Sequence, residues 1–124
     1  MTTPENITHL EPNEIFVFGS NLNGFHDGGA AKVAEEKFGA EWGIGEGLVG
    51  QSYAFPTLGY QMQRMHIEDL EECRNTLYKT ARALPAVTFY LTKVGTGIAG
   101  FHETEMGALF MDSPENIIKP KGWT

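Results

Sequence analysis

The segment Lys93 to Phe101, KVGTGIAGF, sets Gly95, Thr96, Gly97, Ile98, Ala99 and Gly100 between the apolar run AVTFYLT and the helix-like HETEMGALF. Glycines this close together release the backbone from side-chain limits and let an anion reach consecutive N–H donors, so the segment is suited to cradling a phosphate. A second stretch, Gly19 to Gly29 (GSNLNGFHDGG), holds four glycines and two asparagines in eleven positions and opens onto another helix-like run, AAKVAEEKF. The N–H groups and positive dipole end at a helix start serve the same chemistry. Side chains that could add reactivity are His26 and Asp27 in the first stretch and His102 after the second. A carboxylate or imidazole so placed can activate water or a leaving group. The plainer roles are a helix cap for Asp27 and solvated loop positions for the two histidines.

These loops need elements to hold them. Glu14 to Phe18, EIFVF, reads as an interior strand ended by Gly19. The helix after the first loop carries Ala30, Ala34 and Phe38 at helical spacing, with Gly39 as its terminal glycine. The stretch EWGIGEGLVGQ reads as a loop anchored by Trp42, and SYAFPT as a second strand closed by Pro56. Tyr53 and Phe55, like Trp42, read as core. Ile67, Leu70, Cys73, Leu77, Ala81 and Leu84 recur three or four apart and predict an amphipathic helix halted by Pro85. AVTFYLTKV is a third strand, residues 104–110 a short helix, and residues 116–119 a short edge strand in an otherwise irregular tail. Strands alternating with helices, without hairpin signals, predict an α/β fold with a mainly parallel sheet. In such a sheet both glycine-rich loops leave the carboxyl edge, where ligands of α/β proteins sit. Two phosphates, or one phosphate gripped from both sides, would fit them.

The 124 residues suit one domain, 1–124. Nine basic against sixteen acidic residues give a net charge of -7, which disfavours non-specific nucleic-acid binding. An anionic ligand would then be held by backbone N–H groups. The single cysteine, Cys73, excludes an internal disulfide or a multi-cysteine metal site and reads as an inert buried thiol. The start MTTPENITHL lacks the basic and apolar regions of a signal peptide, and no run is long enough to span a membrane, so a cytoplasmic protein is expected.

In order and content these pieces resemble a macrodomain, the family that binds ADP-ribose and related NAD-derived nucleotides. ENITHLEPNEIFVFGSN resembles the family's Gly-Asp-Ile-Thr opening followed by a strand and Asn-Ala-Ala-Asn. HDGGAAKVAEE resembles its glycine run and small-residue helix, and VGTGIAGF its loop Ser-Thr-Gly-Ile-Tyr-Gly-Tyr. The resemblance covers most of residues 5–110 and implies a three-layer α/β/α macrodomain-like sandwich with a mainly parallel or mixed central sheet. It implies ligand contacts for Asn6 and Ile7 in the opening, and for Gly19, Ser20, Asn21, Gly28, Gly29 and Ala30 in the first loop. In the second, Gly95 to Gly100 would wrap the diphosphate with backbone donors, and Phe101 would pack against the distal ribose. Asn21 matches the asparagine that contacts that ribose.

The departures are specific. Asn6 stands where the family has the aspartate that accepts from the adenine amino group, and Phe18 replaces the earlier asparagine. The catalytic aspartate of hydrolytic members falls near Ala31 or Lys32. The resemblance therefore implies a binder of ADP-ribose, free or protein-linked, without a cofactor. A hydrolase using Asp27, His26 or His102 is the alternative. Glu35 and Glu36 faintly resemble the paired acids of poly(ADP-ribose) glycohydrolases but read as a solvated helix face. A lysine-decarboxylase-like Rossmann protein shares the Phe-Gly-Ser and Gly-Gly-Ala pieces, yet its Pro-Gly-Gly phosphate loop is missing. With trimmed edge strands a homodimer through an exposed edge is a further expectation.

Overall fold

A computed structural model describes residues 1–123. Strand β1 (Glu14–Asn21) is followed by helix α1 (Gly29–Lys37), a hairpin of β2 (Gly47–Val49) and β3 (Ser52–Leu58), and helix α2 (Ile67–Ala83). Strand β4 (Thr88–Leu91), helix α3 (Glu103–Leu109) and strand β5 (Ile117–Ile118) complete the chain. The sheet order is β2-β3-β1-β4-β5. Neighbouring strands from β3 to β5 are parallel, and β2 alone is antiparallel, so this is an α/β protein with a mixed sheet.

β1 is the pivot. The chain leaves it through α1 to reach β3 on one side, then returns through α2 to β4 on the other. Such a reversal of strand order opens a crevice beyond the carboxyl ends of the strands. β1 also supplies alternate residues to two apolar clusters. Phe16 and Phe18 pack with Ala54 of β3 and with Ala31, Ala34 and Phe38 at α1. Ile15 and Val17 pack with Tyr53, Phe55, Phe89 and Leu91 and with Leu70, Cys73, Leu77 and Ala81 of α2. Met106 and Leu109 of α3 join the second group. A strand two-sided in this way must be a continuous apolar run, and Ile15 to Phe18, IFVF, is one.

Five local expectations need correction. β1 does not stop at Gly19 but continues to Asn21, because Gly19 and Ser20 still pair with Phe55 and Pro56. Pro56 does not close β3. It lies inside the strand, past the reach of β2, which pairs only with Ser52 to Ala54, so its missing N–H costs no bond to β2. The stretch expected to be a loop contains β2, joined to β3 through Gly50 and Gln51, with Gly50 at φ 60 in the glycine-first manner of a two-residue hairpin. β4 is four residues long, bounded by a turn in which Val87 N–H donates to Leu84 O (3.0 Å) and by another from Val94 N–H to Thr92 O (2.7 Å). Trp42 does not anchor its loop in the core and is 52% exposed.

α2 follows its predicted pattern, with Ile67 and Leu84 at its exposed ends, and Gly39 at φ 84 ends α1 as expected. Among the described residues no helix is long and apolar enough to cross a membrane.

Candidate functional site

Beyond the carboxyl ends of β1, β3 and β4 lies a cleft of about 590 Å³. Its walls come from both glycine-rich loops: Gly19, Ser20, Asn21, Asp27, Gly28, Gly29 and Ala30 on one side, and Gly95, Thr96, Gly97, Ile98 and Ala99 on the other. The loops adjoin because β1 and β4 are parallel neighbours, with Val17 opposite Leu91. A side chain added at Gly19 would already touch Gly95 N at 3.4 Å.

The second loop is braced from within. Lys93 O accepts from Thr96 Oγ1 (2.8 Å), Gly97 O from Gly100 N–H (3.0 Å) and Gly95 O from Phe101 N–H (2.9 Å). Gly95 sits at φ 79 against Met106 and Phe101. Among the described residues nothing accepts from the N–H groups of Gly97, Ile98 and Ala99. At the first loop, α1 begins with no side-chain cap and no acidic residue in its first turn. The leading N–H groups of a helix have no partner within it, so this end too offers bare donors to the cleft. Among the described residues the charged ones that line the walls are Lys93 and Asp27, and Lys93 is shared with Glu103 at 3.2 Å. That ammonium is the main cause holding the exposed Glu103 carboxyl below its ordinary range.

Two pairs of glycines in and around these loops contrast sharply. A Cβ on Gly24 would collide with the backbone of Gly43 and Ile44, and one on Gly45 with the backbone of Asn21 and Leu22. These two lock the first loop to the segment after α1, a contact completed by Gly43 N–H to Gly24 O (2.9 Å) and by the Ser20 hydroxyl donating to Gly45 O. Gly28 and Gly97 are different. Beyond the adjoining residues no atom lies within 4 Å of where their Cβ would stand, and neither has a positive φ. No neighbouring atom demands glycine at either position, and both line the cleft.

No protein-family model, no curated protein and no solved structure matches this chain.

The remaining candidates do not converge. Asp27 lines the cleft and is exposed, and it does not cap α1, whose N-cap is Gly28. His26 is not solvated. It is 2% exposed, edge-on to the rings of Phe18 (5.5 Å) and Trp42 (6.2 Å), and neither ring nitrogen has a partner among the described residues. His102 is exposed outside the cleft at the start of α3, where its N–H donates to Glu105 Oε1 (3.1 Å). Asn6 is exposed and Ile7 packs on the α1-side cluster, so neither lines the cleft. Gly100, at φ 75, shapes the second loop from outside the walls. Phe101 lies beneath the Arg64 guanidinium, 4.1 Å from the ring centre.

Asn21 also has a prior engagement. Its Oδ1 accepts from Phe25 N–H and its Nδ2 donates to Phe25 O, both at 3.0 Å. Residues that the sequence reading missed include Phe25, Thr57, Leu58, Met62 and Thr92. In a parallel sheet every strand's carboxyl end delivers a loop to the same rim, so the segment after β3 carried a signal despite having few glycines.

Proposed function

We propose that this chain is a macrodomain-like, three-layer α/β/α sandwich that binds ADP-ribose or a related NAD-derived nucleotide in the cleft beyond β1, β3 and β4. The single observation that carries this reading is the open space at Gly28 and Gly97, two wall glycines that no neighbouring atom demands. Glycine at such positions lets another molecule approach the backbone, and the bare N–H groups beside them are donors for phosphate oxygens. Paired donors from a helix start and a glycine loop suit a diphosphate in a protein whose net charge of -7 would otherwise repel it. The volume lies within the range of small-molecule sites.

Hydrolysis of an ADP-ribose derivative is the second reading, and Asp27 is the observation that favours it, since it alone of the three reactive candidates lines the cleft. Binding without turnover is the expected behaviour. Calorimetry with ADP-ribose, AMP, ribose phosphate and NAD tests the first reading, with Gly97→Val as the control expected to lose binding while staying folded. Unchanged affinity in folded Gly97→Val removes the second loop from the site. Incubation with ADP-ribosylated protein and O-acetyl-ADP-ribose tests the second. Release of ADP-ribose that disappears in Asp27→Ala would make the protein an enzyme.

A further inference from the structure

Phe25 is 41% exposed and lines the cleft. An aromatic ring left half open to water in a loop is ordinarily free to move, and this one is fixed from two directions. Asn21 holds both backbone polar groups of Phe25 in a closed pair of hydrogen bonds at 3.0 Å. Trp42 stacks on the ring at 5.4 Å between centres and 26° between planes. Trp42 is itself carried by the segment that Gly24 and Gly45 lock against the first loop, and His26 packs edge-on to it. Two backbone-on-backbone glycine contacts, a buried asparagine and a stacked tryptophan thus converge on one half-exposed phenyl ring. A core-packing purpose does not explain them, because both Phe25 and Trp42 stay outside the two apolar clusters.

We propose that the Phe25–Trp42 pair is a preorganised stacking platform for the nucleobase of the nucleotide whose phosphates the glycine loops hold. The inference rests on the nucleotide reading above and adds where the planar ring is recognised. Phe25 belongs to the same walls as Gly28 and Gly97, so one ligand can touch both. Stacking on an aromatic face tolerates any base, since each has a π-face, and a platform already fixed loses little freedom on binding. Met62, exposed and at φ 61, is a further apolar wall of the cleft. Asn21 is then a positioning residue acting through Phe25.

The test compares ligands with and without a base. ADP-ribose and AMP carry the ring; ribose 5-phosphate and inorganic pyrophosphate do not. Phe25→Ala is expected to weaken the first two about tenfold, within the range for one lost base stack, and to leave the other two unchanged. Asn21→Ala is expected to reproduce that selectivity, and Asn21→Ala with Phe25→Ala to lose little more than either alone. Phe25→Trp in a Trp42→Phe background keeps an aromatic face, and its fluorescence should be quenched by AMP but not by pyrophosphate. Equal losses for ring-bearing and ring-free ligands, or unchanged AMP affinity in folded Phe25→Ala, would overturn the platform and leave the nucleotide reading intact. Failure of the unaltered protein to bind any of the four would overturn both.

Discussion

At the scale of single residues, glycine identity separates into two causes with opposite mutational signs. Gly24, at φ 74, and Gly45 stand against backbone that cannot yield, so Gly24→Ala and Gly45→Ala should each cost about 2–3 kcal/mol through forced loop displacement. Gly97→Ala meets empty space, and by narrowing the unfolded ensemble it should leave stability unchanged or raise it by up to about 1 kcal/mol. Urea midpoints of the three variants check the contrast, and a loss in Gly97→Ala equal to the others would contradict it. His26 poses a second question at this scale, because its imidazole is buried without a partner among the described residues, which is costly. His26→Phe keeps a ring between Phe18 and Trp42 and removes the polar atoms, so its midpoint should match or exceed that of the unaltered protein. His26→Ala should fall by about 2 kcal/mol through the cavity it leaves. A His26→Phe protein as unstable as His26→Ala would show that the imidazole nitrogens are satisfied after all.

At the scale of elements, a single side chain bears on the join between the end of α2 and the start of β4, where Leu84 and Pro85 turn the chain back into the sheet. Asn116 Nδ2 lies within hydrogen-bonding distance of Ala81 O (2.9 Å), Leu84 O (3.0 Å) and Val87 O (2.9 Å), while its own backbone O accepts from Phe89 N–H (2.7 Å). The last carbonyls of a helix need outside donors, and this amide supplies them from the residue just before the two-residue edge strand β5. Asn116→Ala should therefore destabilise the protein by about 1–2 kcal/mol. Hydrogen exchange should quicken at β5 and at the end of α2 before it does in β1. Uniform quickening across the sheet would mean that Asn116 supports the whole fold and not one join. A similar logic explains why β2 hides in the sequence: three residues starting with Gly47 show no alternation, and its pairing with β3 is what makes it a strand.

At the scale of the whole molecule, three protonated groups are buried around α2. Burial first, then the Glu46 carboxylate, pushes the Cys73 thiol up from 9.0 to about 12. Burial is also the leading cause that raises Tyr53 and Tyr78 from 10.0 to about 12; Glu46 adds to it at Tyr53, whereas Arg74 opposes it at Tyr78. In each case the folded protein holds its proton more tightly than the unfolded chain. The stabilisation is therefore complete below pH 9, declines as the unfolded groups begin to ionise, and is lost as pH rises through about 12. Urea midpoints should be flat from pH 7 to 9 and drop steadily from pH 9 to 11, with Cys73→Ala lessening the early part of the drop. A flat profile to pH 11 would show that these groups ionise without unfolding. The same burial predicts that alkylation of Cys73 at pH 8 is slow until urea unfolds the chain.

The sequence by itself determined the elements whose signal is local: the apolar run of β1, the spacing of α2, the glycine that ends α1 and the two loops rich in unhindered backbone. Periodicity and glycine content are properties of neighbouring residues, and they survive without knowledge of the fold. Tertiary structure alone decided what those glycines are for, because a clash at Gly24 and an empty space at Gly97 depend on atoms far away in the chain. It also decided that Pro56 sits inside a strand, since only the short reach of β2 leaves that edge free. Burial of His26 comes from Phe18 and Trp42 closing over it, and the commitment of Asn21 to Phe25 comes from a turn that no spacing rule encodes. The three reactive candidates diverge for the same reason: loop side chains take their directions from packing between segments, and sequence order records only that they lie near the same loops.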